Sequence, residues 1–323
     1  MSELHKFIFD GMPVRGMLVR LTDGWQEVLR RRAAADAPWP EPVRRLVGEM
    51  AAAAVLMQAS VKFDGTLVLQ VYGDGPVKLA VAEVQPDLAF RATAKVVGEV
   101  RPGDRLEALV NVHGGGRCSI TLDPAARRAG QQPYQGIVSL HGDLKEPLQQ
   151  LSEVLEHYML QSEQLDTRLV LAASDGAACG LLVQRLPVEG EGNLAGRRNE
   201  DEIGVNEDFN RIAALMATLT PEELLSLDAE TILRRLFWEE PLRRFEPLAG
   251  DAAPRFACTC SRERVGRMLK SLGEVEVDGI VAEQGQVEVA CEFCGKKYRF
   301  DAVDAQGLFL AAGRQAPGSE AIN

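Results

Sequence analysis

An α+β fold is predicted, with an N-terminal core of mixed sheet and helix, a helical linker, and a small C-terminal domain built around paired cysteines. Three observations lead to it. Residues 1–187 alternate runs of strand-like period 2 with runs of helical period 3.6. An acidic, glycine-rich stretch then interrupts the apolar pattern, and four of the six cysteines fall between positions 258 and 294. A chain of 323 residues is long enough for two or three domains. The boundaries drawn are 1–187 for the core, 188–250 for the linker, 251–304 for the cysteine-bearing domain and 305–323 for a tail.

In the core, residues 7–9 and 14–21 alternate like strands about a turn at 10–13. Residues 25–35 and 43–58 follow helical spacing, with Leu46, Val47, Met50, Ala54 and Met57 on one apolar face. The run 61–84 reads as strands broken at Asp64-Gly65 and Gly73-Asp74-Gly75-Pro76. Strand-like pieces follow at 91–100, 105–112, 118–122 and 134–140, then a helix over 144–162 and strands at 167–173 and 181–186.

The linker begins with residues 189–210, which are acidic, glycine-rich and almost free of large apolar side chains, a composition that cannot offset ordering entropy. Helical signals then return. Phe209, Ile212, Ala213, Met216 and Leu219 form a stripe, Thr220-Pro221-Glu222-Glu223 reads as a capping box, and Asp228 can cap a helix carrying Ile232, Leu233, Leu236 and Phe237. Helices this short are marginal alone and must dock on something.

Composition narrows the function. With 46% hydrophobic and 26% charged residues the chain is ordinary for a soluble protein, and a net charge of −11 disfavours a uniformly basic nucleic-acid binder. The charge is uneven: residues 1–187 carry a net −2, whereas 188–250 alone carry −7. The longest apolar run, Met50 to Met57, falls far short of the roughly 20 residues of a membrane span. The N-terminus, with Glu3, His5, Lys6 and Asp10, lacks an apolar signal core, so a cytoplasmic location is expected.

The strongest chemical signal is Cys258-Thr259-Cys260, then 30 residues, then Cys291-Glu292-Phe293-Cys294-Gly295. In an extended segment Cys258 and Cys260 point to one side. The second pair, followed by glycine, suits a tight knuckle whose amides turn toward sulfur. Two such pairs supply a closed four-thiolate set for one Zn2+, making this a small zinc-binding domain. The alternatives are structural disulfides, a thioredoxin-like pair at Cys291 and Cys294, and a nucleic-acid zinc ribbon using Arg262, Arg264 and Arg267. Four thiolates leave no open coordination position, and no His-Glu-x-x-His motif exists, so a catalytic metal and an enzyme are not expected. Between the pairs, Ser261 can cap a helix carrying Val265, Met268, Leu269 and Leu272, and strands are expected at 287–290 and 297–300.

These residues resemble a known family. Cys258-Thr259-Cys260-Ser261-Arg262-Glu263-Arg264, the 30-residue gap and Cys291-Glu292-Phe293-Cys294-Gly295 are similar to the redox-regulated chaperones called the 33-kilodalton heat-shock proteins. So are Val14-Arg15-Gly16, Gly73-Asp74-Gly75-Pro76, Tyr134-Gln135-Gly136 and Ser162-Glu163-Gln164 with Thr167. The resemblance implies an ATP-independent holdase, inactive when reduced and zinc-bound. It implies that oxidation forms the disulfides Cys258–Cys260 and Cys291–Cys294, releases zinc, unfolds the C-terminal region and yields a homodimer that holds unfolded or partly unfolded proteins. No nucleic-acid or membrane partner is expected.

The residues add a physical case for such a switch. Cys258 and Cys260 in a strand would have Cα atoms about 6.6 Å apart, near the upper limit for a disulfide, so bridging them would strain that strand. Undocking of the linker helices would expose Ile232, Leu236, Phe237 and Trp238 as client-binding candidates, together with the face they leave. Cys118 and Cys179 read as buried small hydrophobes. His5, His113, His141 and His157 show no ligand spacing, and Gly114-Gly115-Gly116 lacks a phosphate-loop lysine. Arg15 and Glu163 match family motifs without a chemical role that spacing reveals, and Val265 leaves no fifth cysteine beside the first pair.

Overall fold

In the computed structural model, which describes residues 1–126, 132–186 and 206–310, the contacts divide the chain into two units, Met1–Ala257 and Cys258–Asn323. The first unit is built on two sheets. One holds β1 (Glu3–Phe9), β2 (Val14–Leu21), β8 (Thr167–Ala173), β9 (Ala178–Arg185) and β10 (Leu242–Arg244), in the order β10-β1-β2-β9-β8. The other holds β3 (Gly65–Tyr72), β4 (Val77–Val84), β5 (Ala89–Val96), β6 (Arg117–Pro124), β7 (Tyr134–Ser139) and β11 (Arg255–Phe256), ordered β11-β5-β4-β3-β6-β7. All pairings are antiparallel except β11 with β5.

Helix α1 (Asp23–Ala35) precedes α2 (Glu41–Ser60), which packs against β4 and β5 of one sheet and β8 and β9 of the other. Every residue from Met50 to Gln58 is buried. The alanines at 51–54 let strands approach, and at Gly180 on β9 a Cβ would stand 2.7 Å from Leu56. Short α3 (Leu106–Val110) and α4 (Leu151–Glu163) complete this core. Residues 105–112 were expected as a strand and form a helix instead. Leu106, Leu109 and Val110 are buried at helical spacing, too short a run to tell the two periods apart. The helix expected from 144 starts at 151, because residues 141–147 form a turn closed by the pairing of His141 with Pro147.

The inner face of the β1–β2–β9–β8 sheet faces α2, and its outer face carries a second apolar cluster. Phe7, Phe9, Val14, Leu18, Leu181 and Val183 lie there, covered by α5 (Glu207–Met216), α6 (Pro221–Ser226) and α7 (Ala229–Phe237). Gly16 is what lets Phe7 lie flat on β2: a Cβ there would stand 2.1 Å from the Phe7 ring. Asn206, Thr220 and Asp228 each cap one helix through a side-chain oxygen. Most of the acidic stretch lies outside the described residues, but residues 206–210 belong to α5 with its cap, and Phe209 is buried. After α7 the chain adds β10 to one sheet edge and β11 to the other.

The second unit contains α8 (Arg262–Leu272), α9 (Glu274–Gln284), the hairpin of β12 (Val287–Ala290) and β13 (Lys297–Phe300), and α10 (Ala302–Phe309). Ser261 caps α8, accepting a hydrogen bond from Arg264 N. Helix α10 runs across the 304/305 boundary drawn from the sequence, and its Ala305 is buried.

Candidate metal centre

Two backbone devices bring the four cysteines together. Cys258 and Cys260 follow β11 in a segment without strand pairing, so the strand expected to hold them ends at Phe256. Their bridging would therefore break no strand. Cys291 and Cys294 sit on the turn between β12 and β13. There Gly295 takes a φ of +71°, its N–H donates to Cys291 O at 2.8 Å, and Cys291 N donates to Lys296 O at 2.9 Å.

The four Sγ atoms lie within 4.8 Å of one another. Short contacts run between the pairs, 3.7 Å from Cys258 to Cys291 and 3.4 Å from Cys260 to Cys294. A regular tetrahedron with metal–sulfur bonds of about 2.3 Å has edges of about 3.8 Å, so this set fits one closed four-thiolate site. The backbone supports charged sulfur: Phe293 and Cys294 N–H groups are directed at Cys291, and that of Lys296 at Cys294. The sulfurs also impede one another's ionisation. The Cys258 sulfur beside Cys291 and then burial push that thiol up, and burial foremost pushes Cys294 up. A bound cation removes that obstacle, as a four-sulfur site requires.

Tyr298 was not singled out from the sequence. Its hydroxyl donates to Cys260 Sγ at 3.1 Å, and it is buried on the same side of β13 as Phe300. The alternation of residues 297–300 contained that signal. Among the described residues, and leaving Cys294 aside, the fully buried core of this unit is Leu269, Val277, Val287, Tyr298, Phe300 and Ala305, with other apolar side chains only half-buried against it, too few to hold it without a further staple. Two of the three arginines of the expected basic strip are engaged internally. Arg262 pairs with Asp304 at 2.7 Å and covers the Phe300 ring, and Arg264 donates to Thr259.

Of the client-binding candidates, Ile232, Leu236 and Phe237 are buried on the outer face of the first sheet. The Phe237 ring meets Phe9 edge-on at 5.1 Å and lies 6.0 Å from Phe7. Trp238 departs from the expectation: it is 72% exposed with the helices docked. It stands one residue past the end of α7, about 100° round from Phe237, so undocking would uncover nothing there. Cys118 and Cys179 are buried, and burial pushes their thiols up to about 12 and about 11.

The remaining motifs prove to be hydrogen-bonded packing. Arg15 donates to Gln184 at 2.5 Å and Gln184 to Thr167 at 3.0 Å. Glu163 accepts from the hydroxyls of Tyr134 (2.9 Å) and Tyr158 (2.8 Å), and Gly136 leaves room for the Tyr158 ring. Asp74 accepts from the backbone of His113 and Gly115, tying the Gly73–Pro76 turn to the triple-glycine loop. No helix among the described residues is long and apolar enough to cross a membrane.

Comparison with known proteins agrees with this architecture. The chain is 47% identical over 319 residues to a 33 kDa chaperonin of Chromobacterium violaceum, covering 98% of this chain and 97% of that one. It is 43% identical over 306 residues to a 33 kDa chaperonin of Neisseria meningitidis, covering 94% and 90%. The crystal structure of the 33 kDa chaperonin of Thermotoga maritima superposes with a TM-score of 0.71 at 20% identity, over 95% of this chain and 97% of that one, a likeness of fold. A family model described as Hsp33 protein matches residues 2–301, and the chain belongs to the Hsp33 family of chaperones.

Proposed function

We propose that this chaperone is a redox-regulated holdase that works without ATP, silent while its four thiolates hold one zinc ion and active once they are oxidised. One observation carries the reading: an apolar sheet face is covered by helices of only 10, 6 and 9 residues. Helices below about 12–15 residues are marginal in isolation, so the cover persists only while docking holds it. Uncovered, the face and the helices present a continuous apolar surface of the kind that binds unfolded chains without sequence preference.

When bound, zinc supplies the charge that gathers the thiolates and, in finger peptides, about 10–16 kcal/mol of apparent binding free energy. The sulfurs are the sensor. Each pair of thiolates gives two electrons to one peroxide, which takes two protons from the surrounding water; an S–S bond forms, the O–O bond breaks and two waters leave. Pairing Cys258 with Cys260 and Cys291 with Cys294 consumes all four ligands, and the small core that remains is too slight to stay folded. Cys258 lies two residues along the chain from β11, so the unfolding segment follows directly on the last strand of the first unit.

In this reading 1–187 is the chaperone core, 188–250 a metastable linker, 251–304 the switch and 305–323 a tail. The partners are unfolded or partly unfolded proteins and, in the active form, a second copy of the chain. The protein is cytoplasmic, not an enzyme, and binds neither nucleic acid nor membrane. The test is metal content and suppression of a model client's thermal aggregation, before and after peroxide with mild heating. Zinc release accompanied by suppression is expected. Oxidised protein that has lost its zinc and leaves aggregation unchanged would refute the reading, and zinc that survives peroxide would favour a purely structural metal.

A further inference from the structure

Most of the contact between α5–α7 and the sheet is apolar and therefore undirected. One polar group stands out. Arg20 lies on β2, opposite Glu3 on β1 and Cys179 on β9. It alternates with Leu18 on the outer face, so its guanidinium points toward the linker helices. Nη1 donates to Leu227 O at 2.9 Å and to Leu224 O at 3.2 Å, and Nη2 donates to Leu225 O.

These three carbonyls belong to the end of α6 and its joint with α7. Helix α6 has six residues, an N-terminus closed by its own Thr220–Glu223 box, no basic residue in its last turn, and an extended Leu227 at its C-terminus instead of a glycine cap. Its final carbonyls carry the negative end of the helix dipole and have no helical donor. The core supplies the cation that the helix lacks, and a planar fork of donors suits several carbonyls at once.

We propose that Arg20 is a positioning residue that fastens the linker to the chaperone core and sets how readily the covered face opens. This rests on the holdase reading for its consequence, though not for its geometry. Without the guanidinium, three carbonyls at the α6–α7 joint would stay docked without their donor, whereas in the open state water satisfies them. The docked state alone is therefore weakened, and the reduced, zinc-loaded protein gains holdase activity without oxidant.

Cys179 reports opening independently of activity, and because the neighbouring Arg20 charge favours its thiolate, loss of that charge by itself slows the thiol, opposite to the effect of opening. It is buried on the face that the helices cover, whereas Cys118 is buried in the other sheet and reports on the core itself. The experiment follows alkylation of each thiol by peptide mass mapping in reduced, zinc-loaded wild type, Arg20→Met, Arg20→Gln and Arg20→Lys. Hydrogen bonds to a charged group predict a rise of roughly 10–100-fold in the Cys179 rate for Arg20→Met. Arg20→Gln and Arg20→Lys should fall between that and wild type, with Cys118 slow throughout and one zinc retained. The same reduced variants should suppress client aggregation in proportion to the Cys179 rate.

A Cys179 rate in Arg20→Met within twofold of wild type overturns the proposal. If that variant also exposes Cys118, its core has failed, and Arg20→Gln decides by the same criterion. Faster Cys179 labelling without suppression, when oxidised wild type does suppress, overturns the activating role. If oxidised wild type itself fails to suppress, the holdase reading falls, and the labelling ratio alone judges the fastener.

Discussion

Phe237→Ala should open the linker without touching the metal centre. Phe237 is 2% exposed, and its ring is wedged between Phe7 and Phe9. Truncating a buried phenylalanine costs about 3–5 kcal/mol through lost transfer energy and a residual cavity. In the undocked state the ring is already in water, so nearly all of that loss falls on the docked state. At about 1.4 kcal/mol per factor of ten, the opening constant should rise roughly a hundredfold to several thousandfold. The assay is native-state hydrogen exchange on reduced, metal-loaded protein, because amides of α5–α7 exchange through the opening itself. Protection in α5–α7 should drop by that factor while β4 and the hairpin of the second unit keep theirs. Trp238→Ala is the control, since an exposed side chain should change little, within about 0.5 kcal/mol. Unchanged protection in Phe237→Ala, or an equal effect from Trp238→Ala, would refute the claim that the face is sealed by the buried side of α7.

Other outcomes follow from the same structure. Cys294→Ser should abolish metal retention and collapse exchange protection across residues 258–310 while the first unit stays folded, checked by metal analysis with hydrogen exchange. Gly136→Ala would place a Cβ 2.5 Å from the Tyr158 ring, and thermal melting should show a loss of about 1–3 kcal/mol. Glu49 lines a cavity of about 540 Å³ that also meets Pro221 and Leu225 of α6, and burial pushes its carboxyl up to about 8, with Arg45 opposing. An acid raised on folding stabilises fully below its unfolded value and loses that contribution as pH rises through the folded one. Melting temperature should therefore fall between about pH 4.5 and 8 through this group, and Glu49→Gln should flatten that slope.

What the sequence disclosed, and what it hid, follows from the range of the interactions. The caps at Thr220, Asp228 and Ser261 and the knuckle at Gly295 are local, and each stands where the residue pattern places it. The two- and three-residue strands β11 and β10 carry no periodicity of their own, because they exist only through partners more than 150 residues away. Helix α9 gives little signal, with Val277 buried and Val275 fully in solvent. At the candidate metal centre the clustering of the four cysteines was legible from their spacing, while the strand expected beneath Cys258 and Cys260 is not formed. Arg20 was invisible for the same reason as β10: its partners lie some 200 residues along the chain.

The central claim is that oxidation at the four sulfurs frees the linker helices from the sheet. Hydrogen exchange of the full-length protein, before and after peroxide with mild heating, tests it most directly. The account predicts that protection is lost in the second unit and in α5–α7 together, while β2, β4 and β9 retain theirs. Oxidised, metal-free protein in which α5–α7 remain as protected as in the reduced form would contradict it.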